Sequence, residues 1–256
     1  MSKVNSSLLS SLCAQLTSGA RQAGAAVDFA GFVGSDGGWL FETLQSYGVG
    51  TSLLERDDKV RSDVSPRCVQ PADMRSQLPT GRAMIQLSTS TADNSIILLQ
   101  GANFTPRDPS IDLSNYSVAV FQNEIPYGKT IALVREARQA GLVTVVNPSP
   151  MPPTSEEIAK FPWSDVSWLV VNEGEARALV AELSKGKDVR GTDAVLEALT
   201  ELQGTAYQVG AVVTLGANGA CALFNGQRIL SEAGPVDDKV RDTTGAGDCF
   251  TVSFYA

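Results

Sequence analysis

The sequence predicts an α/β fold in which a mainly parallel sheet is covered by helices. Two observations carry this. Short apolar runs recur along the chain with helix-period segments between them, the alternation expected of strands joined by helical crossovers. The chain has 256 residues, 43% hydrophobic and 19% charged, which suits a globular chain with one large core rather than a disordered tail.

Taken in order, the Ser-rich segment ahead of Asp28 places Leu8, Leu9, Leu12 and Leu16 at helical spacing. It reads as a helix with a buried face; because it carries Lys3 and Arg21 and no acid, a mitochondrial presequence is the alternative. A strand over 27–33 and a helix over 37–47 follow. Residues 52–100 behave differently, with strand-like pieces at 83–87 and 95–100, turn residues and little helical period, so an antiparallel patch or small β flap is expected there. Strands are then expected at 118–122, 143–147, 168–171, 211–215 and 220–224, and helices at 127–140, 173–183 and 193–203. A last helix starts near Gly245. No flexible linker or internal repeat interrupts this pattern, and residues 1–256 read as a single domain.

Composition excludes several chemistries. The chain has no histidine, which removes Ser-His-Asp and Cys-His nucleophilic sites and every His-ligated metal motif. Twenty Lys and Arg against 28 Asp and Glu give a formal charge of −8, a field that opposes nucleic acid as a partner. Cys13, Cys68, Cys221 and Cys249 form no C-x-x-C pair, so a zinc ribbon or disulfide framework is not expected and a reducing compartment fits best. The longest apolar runs fall short of the ~18–20 residues that span a bilayer, so no membrane partner is expected.

The stretch Asp242-Thr243-Thr244-Gly245-Ala246-Gly247-Asp248 concentrates what remains. Small residues between two carboxylates and ahead of an apolar run place backbone N–H groups at a helix N-terminus, where they bind anions. A carboxylate in the same turn, Asp248, can take a proton from a hydroxyl while those N–H groups and the helix dipole stabilise the group in transfer. Taken alone, the stretch is equally a glycine-rich turn with an ordinary first-turn acid.

These residues resemble the signature of the ribokinase family, the PfkB-type carbohydrate kinases. Other segments resemble the family in the same chain order: Val33-Gly34-Ser35-Asp36, Gly101-Ala102-Asn103, Asn147-Pro148-Ser149-Pro150, Asn172-Glu173-Gly174-Glu175 as N-x-x-E, and Thr214-Leu215-Gly216-Ala217-Asn218-Gly219 as T-L-G-x-x-G. The resemblance implies a ribokinase-like three-layer α/β/α sandwich with a small β flap. It implies ATP-dependent phosphorylation of a sugar hydroxyl, with D-ribose converted to D-ribose 5-phosphate favoured over another sugar or a nucleoside. Asp248 would be the base, beside the sugar, and Gly245, Ala246 and Gly247 the anion hole. Asn172, Thr214, Leu215, Gly216, Ala217, Asn218, Gly219 and Gly247 would line the nucleotide site. Glu175 would hold Mg²⁺ through a water, Asp242 and Thr244 would bind K⁺ as the monovalent cation, and Glu124 would contact the sugar. A cytoplasmic location, with a nuclear one as an option, and a homodimer through 52–100 follow as expectations.

Each assignment has a plainer reading as a helix-opening acid or a strand-end turn. The family's first strand and its G-G-K-G-x-N-type turn have no match in residues 1–26, and only eight residues follow Asp248. The expectation is therefore a ribokinase-like domain incomplete at both termini, with low or no activity by itself, and a non-catalytic nucleotide-binding chain is the alternative.

Overall fold

In a computed structural model, the described residues are 4–5, 24–56, 78–87, 94–105, 111–184, 189–235 and 245–254. The chain divides into two compact units, residues 1–111 together with 239–256, and residues 112–238.

The first unit contains two small sheets. Strands β1 (Val4–Asn5), β4 (Arg82–Leu87) and β5 (Asn94–Leu99) form an antiparallel sheet in the order β1-β4-β5, while β2 (Gly31–Val33) pairs in parallel with β3 (Leu54–Arg56). The antiparallel patch expected over 52–100 is present in β4 and β5, but its first strand joins β2 instead. The strand expected over 27–33 is shortened to three residues, because Asp28 makes only an isolated bridge to Gly50 before the ladder begins at Gly31. The helix α1 (Gly38–Ser46) places Leu40 and Leu44, four residues apart on one face, against Val33, Val49 and Leu54. The leucine stripe at 8–16 lies outside the described residues. The helix α6 (Ala246–Ser253) belongs to this unit.

The second unit is built on a six-stranded sheet. Its strands are β6 (Val118–Phe121), β7 (Val143–Val146), β8 (Trp168–Asn172), β9 (Gly210–Thr214), β10 (Ala220–Phe224) and β11 (Gln227–Ser231), in the order β11-β10-β9-β8-β7-β6. β6 to β9 run parallel, and β10 and β11 complete the sheet as an antiparallel meander. Helices α2 (Tyr127–Gln139), α3 (Ser155–Lys160), α4 (Glu173–Leu183) and α5 (Thr192–Glu201) connect the parallel strands. Leu169, Val170 and Val171 are buried in succession on β8, as are Gly210 to Val213 on β9, because both faces of the central strands are covered. At the edges the pattern changes: β6 leaves Val118 and Val120 exposed, and β11 is exposed along its whole length.

Helix packing makes this unit's core. Leu179 and Val180 of α4 and Val195, Leu196 and Leu199 of α5 are buried in one cluster with Leu169, Val171, Val213 and Leu223 of the sheet. Two polar side chains taken into this core are satisfied locally. The Tyr207 hydroxyl donates to the Leu199 carbonyl at 3.1 Å, and burial pushes that phenol up to about 12. Trp163 Nε1 donates to the Ile158 carbonyl at 2.7 Å. Burial likewise raises the Cys221 thiol, consistent with an inert core cysteine. Cys249 is exposed, and Cys13 and Cys68 lie outside the described residues.

Candidate active site

The Asp248 turn is formed as the sequence expects. Gly245 has φ +77°, a left-handed conformation that costs a side-chain-bearing residue, and it turns the chain into α6. The Cys249 N–H closes the first helical turn by donating to the Gly245 carbonyl at 3.0 Å, and the Thr251 hydroxyl donates to the Gly247 carbonyl at 2.8 Å. Ala246, Gly247 and Cys249 are exposed, whereas Asp248 between them is only 9% exposed. A carboxylate is thus tucked into the first turn of a helix whose backbone is open to solvent, near the positive end of its dipole. Asp242 and Thr244 lie outside the described residues.

In the second unit, register brings together residues 42 positions apart in sequence. Asn172 and Thr214 are direct neighbours at the carboxyl ends of the parallel strands β8 and β9. After Asn172 the chain enters α4 through a capping box. The Glu175 N–H donates to Asn172 Oδ1 at 2.8 Å, and the Asn172 N–H donates to Glu175 Oε2 at 2.9 Å. Glu173 turns aside to pair with Arg177 at 3.0 Å and to accept from the Thr192 hydroxyl at 2.9 Å.

After Thr214 the chain reverses through a short turn into β10. The Leu215 N–H donates to the Gly219 carbonyl at 2.8 Å, and Gly216, Ala217 and Asn218 form an exposed 3₁₀ turn between them. Gly219 is required by shape, since its φ is +88° and a Cβ there would lie 1.9 Å from the Ser231 carbonyl oxygen. The carboxyl ends of adjacent parallel strands, one opening a helix and the other a glycine turn, are a usual place for a ligand in an open α/β sheet.

Glu124 is half-buried and follows β6. Gln122 and Asn147 are linked beside it: Gln122 Nε2 donates to Asn147 Oδ1 at 3.2 Å, and Asn147 Nδ2 donates to the Val170 carbonyl at 2.8 Å. The N-P-S-P segment is therefore fastened to β6 and β8, and its Ser149–Pro150 peptide is cis.

One polar cluster joins two of the family-like segments through Thr80 and Gly81, residues outside every quoted motif. In the first unit, Asp36 Oδ1 accepts from both the Thr80 N–H and the Thr80 hydroxyl at 2.7 Å, Thr80 Oγ1 accepts from the Gly34 N–H at 3.0 Å, and Arg82 pairs with Asp36 Oδ2. The Gly81 N–H donates to Asn103 Oδ1 at 3.2 Å. The V-G-S-D and G-A-N segments are thereby held around Thr80 to Arg82. The only local signal was Pro79-Thr80-Gly81, a turn-forming run ahead of an apolar strand. Among the described residues no three Cys, Asp or Glu side chains converge as a metal site, and no helix is long and apolar enough to cross a membrane.

Solved structures share the fold: a ribokinase from Cryptococcus neoformans in complex with ADP is 34% identical, with a TM-score of 0.76 over 94% of this chain and 72% of its own. The chain therefore has the ribokinase-like α/β fold. The pfkB family carbohydrate kinase profile matches residues 17–256, and the chain belongs to that family. Ribokinases from Schizosaccharomyces pombe and Lactococcus lactis are 29% and 27% identical over 68% and 69% of this chain. The chain spans about half the length of these curated relatives, 54% in each case.

Proposed function

We propose that this chain handles the phosphoryl group of ATP for transfer to a sugar hydroxyl, with D-ribose as the substrate and D-ribose 5-phosphate as the product. The observation that carries the reading is Asp248, a shielded carboxylate in the first turn of a helix entered through Gly245. Asp248 takes the proton from the sugar's primary hydroxyl as that oxygen bonds to the γ-phosphorus, while the bond from the γ-phosphorus to the bridging oxygen breaks and ADP leaves with that electron pair. The N–H groups of Gly245, Ala246 and Gly247, with the dipole of α6, hold the negative charge spread over the transferring oxygens.

Asn172, Thr214 and the turn from Leu215 to Gly219 contact the nucleotide. The adjacency of Asn172 and Thr214 supports this, as does the ADP complex of the similar Cryptococcus ribokinase. Glu175 would hold Mg²⁺ on the phosphates through a water, and the ion would supply positive charge against the phosphate oxygens. The K⁺ assignment to Asp242 and Thr244 rests on the D-T-T-G-A-G-D motif. The choice of ribose rests on the names of the relatives and on Glu124.

The test is ADP release by the purified chain with D-ribose and MgATP, for the native protein and for Asp248→Asn. The amide keeps the shape and removes the base, so turnover should fall by about 100-fold or more while MgATP still raises the melting temperature. Equal turnover in the two proteins would overturn the base assignment. Stabilisation by MgATP with no ribose-dependent turnover in the native chain would identify a nucleotide-binding protein instead.

A further inference from the structure

We propose that Asn123 is a positioning residue that sets sugar affinity through its neighbour Glu124, an inference that rests on the reading of Glu124 as a sugar contact. Asn123 follows β6 and is 8% exposed. Its backbone N–H donates to the Ser149 carbonyl at 3.1 Å, and its side-chain Nδ2 donates to the Pro150 carbonyl at 3.2 Å. Its Oδ1 is shielded from solvent and meets no donor among the described residues. Turning the amide over would not help, because Oδ1 would then face the Pro150 oxygen, acceptor against acceptor.

Stability alone does not account for an amide at this position. Asn147, equally buried, uses both ends of its side chain between Gln122 and Val170. Asn123 uses one end and leaves a shielded acceptor unmet, a cost that leucine, close to it in size, would avoid. What the amide adds is a second tie to the loop. Backbone and side chain together bind the consecutive carbonyls of Ser149 and Pro150, which fixes the direction in which the chain leaves β6, and Glu124 is the next residue. A carboxylate that grips a hydroxyl must be held to within about 0.5 Å. Asn123 holds the peptide that carries it, without touching the sugar.

The test is titration of the full chain with D-ribose and, separately, with a non-hydrolysable ATP analogue, by calorimetry and thermal shift. The native protein is compared with Asn123→Leu, Asn123→Asp and Glu124→Gln. Leucine and aspartate both remove the donor to Pro150, one without charge and the other without change of shape. The expected result for Asn123→Leu is a ribose dissociation constant raised about tenfold, nucleotide affinity within about twofold of native, and a ligand-free melting temperature equal to or above native. Native ribose affinity in both Asn123 variants, with weakened binding in Glu124→Gln, would overturn the inference and leave the substrate reading intact. Loss of both ligands with a lowered melting temperature in Asn123→Leu would make Asn123 merely structural and overturn it too. A native chain that does not respond to ribose, or a Glu124→Gln variant that binds it normally, would remove the sugar reading and this inference with it.

Discussion

At the scale of single residues, Thr80 does the most with the fewest atoms. Its hydroxyl donates to Asp36 and accepts from the Gly34 N–H, and its backbone N–H also reaches Asp36, so one 4%-exposed side chain joins segments 44 to 46 residues apart. Thr80→Val keeps the shape and deletes both hydroxyl bonds. Because the Gly34 N–H then loses its acceptor, a loss of about 1–3 kcal/mol in denaturant unfolding is expected, more than an exposed threonine would give. Asp36 adds a pH dependence to the same cluster. Burial alone would raise its carboxyl, but the Thr80 N–H and hydroxyl and the Arg82 guanidinium outweigh this and hold it below its ordinary value of 3.8. A depressed value in the folded state means that the ionised carboxylate stabilises the fold above the unfolded pKa, and that this contribution is lost as pH falls through the folded one. Asp36→Asn should therefore be destabilised at neutral pH, with the gap to the native protein narrowing on acidification. A gap of constant size down the acid limb would contradict the assignment.

At the scale of elements, the β9–β10 hairpin shows what a sequence can and cannot disclose. Two apolar runs with T-L-G-A-N-G between them were legible as two strands and a turn, and the buried successions on β8 and β9 match the short apolar runs expected at 168–171 and 211–215. The reason Gly219 must be glycine was not legible. It lies in the Ser231 carbonyl, contributed by a strand that carried no signal. β11 is exposed at every residue, with Ile229 and Leu230 its only large apolar side chains, so neither alternation nor a buried run marks it. Gly219→Ala combines a φ of +88° with a Cβ 1.9 Å from that oxygen, so the hairpin must shift, and a loss of about 2–4 kcal/mol is expected by denaturant titration. A loss below about 1 kcal/mol would mean that β11 yields freely. Short elements were missed for a related reason. α3 has six residues, too few to show a period, and its mark is the Thr154 cap that accepts from the Glu157 N–H at 3.2 Å. In the candidate site, the Asp248 turn and the capping box of Asn172 and Glu175 are local in sequence and could be read there. The pairing of Asn172 with Thr214 follows from strand register, which no spacing along the chain encodes.

At the scale of the whole molecule, the second unit supplies a large core from its own residues. Every residue of the large buried cluster, from Val134 to Leu223, lies inside 112–238, and so do all six strands of the sheet that it packs on. In the first unit, Val33, Leu40, Leu44, Val49 and Leu54 form one described buried cluster. A segment that contains its own sheet, the helices that cover it and the hydrogen bonds that tie them together meets the physical requirements of an independent folding unit. Residues 112–238 expressed alone should thus be folded, with a cooperative urea transition and an m-value of about 1–3 kcal/mol/M. The exposed Val118 and Val120 on β6 are the weak point, since an apolar edge strand invites association, and polar replacements there should lower aggregation without lowering the transition midpoint. The same segment carries Asn172, Thr214 and the turn to Gly219, so MgATP should raise its midpoint if these residues bind nucleotide by themselves. A broad, non-cooperative transition in 112–238 would show that its core, though contiguous in sequence, needs the rest of the chain to form.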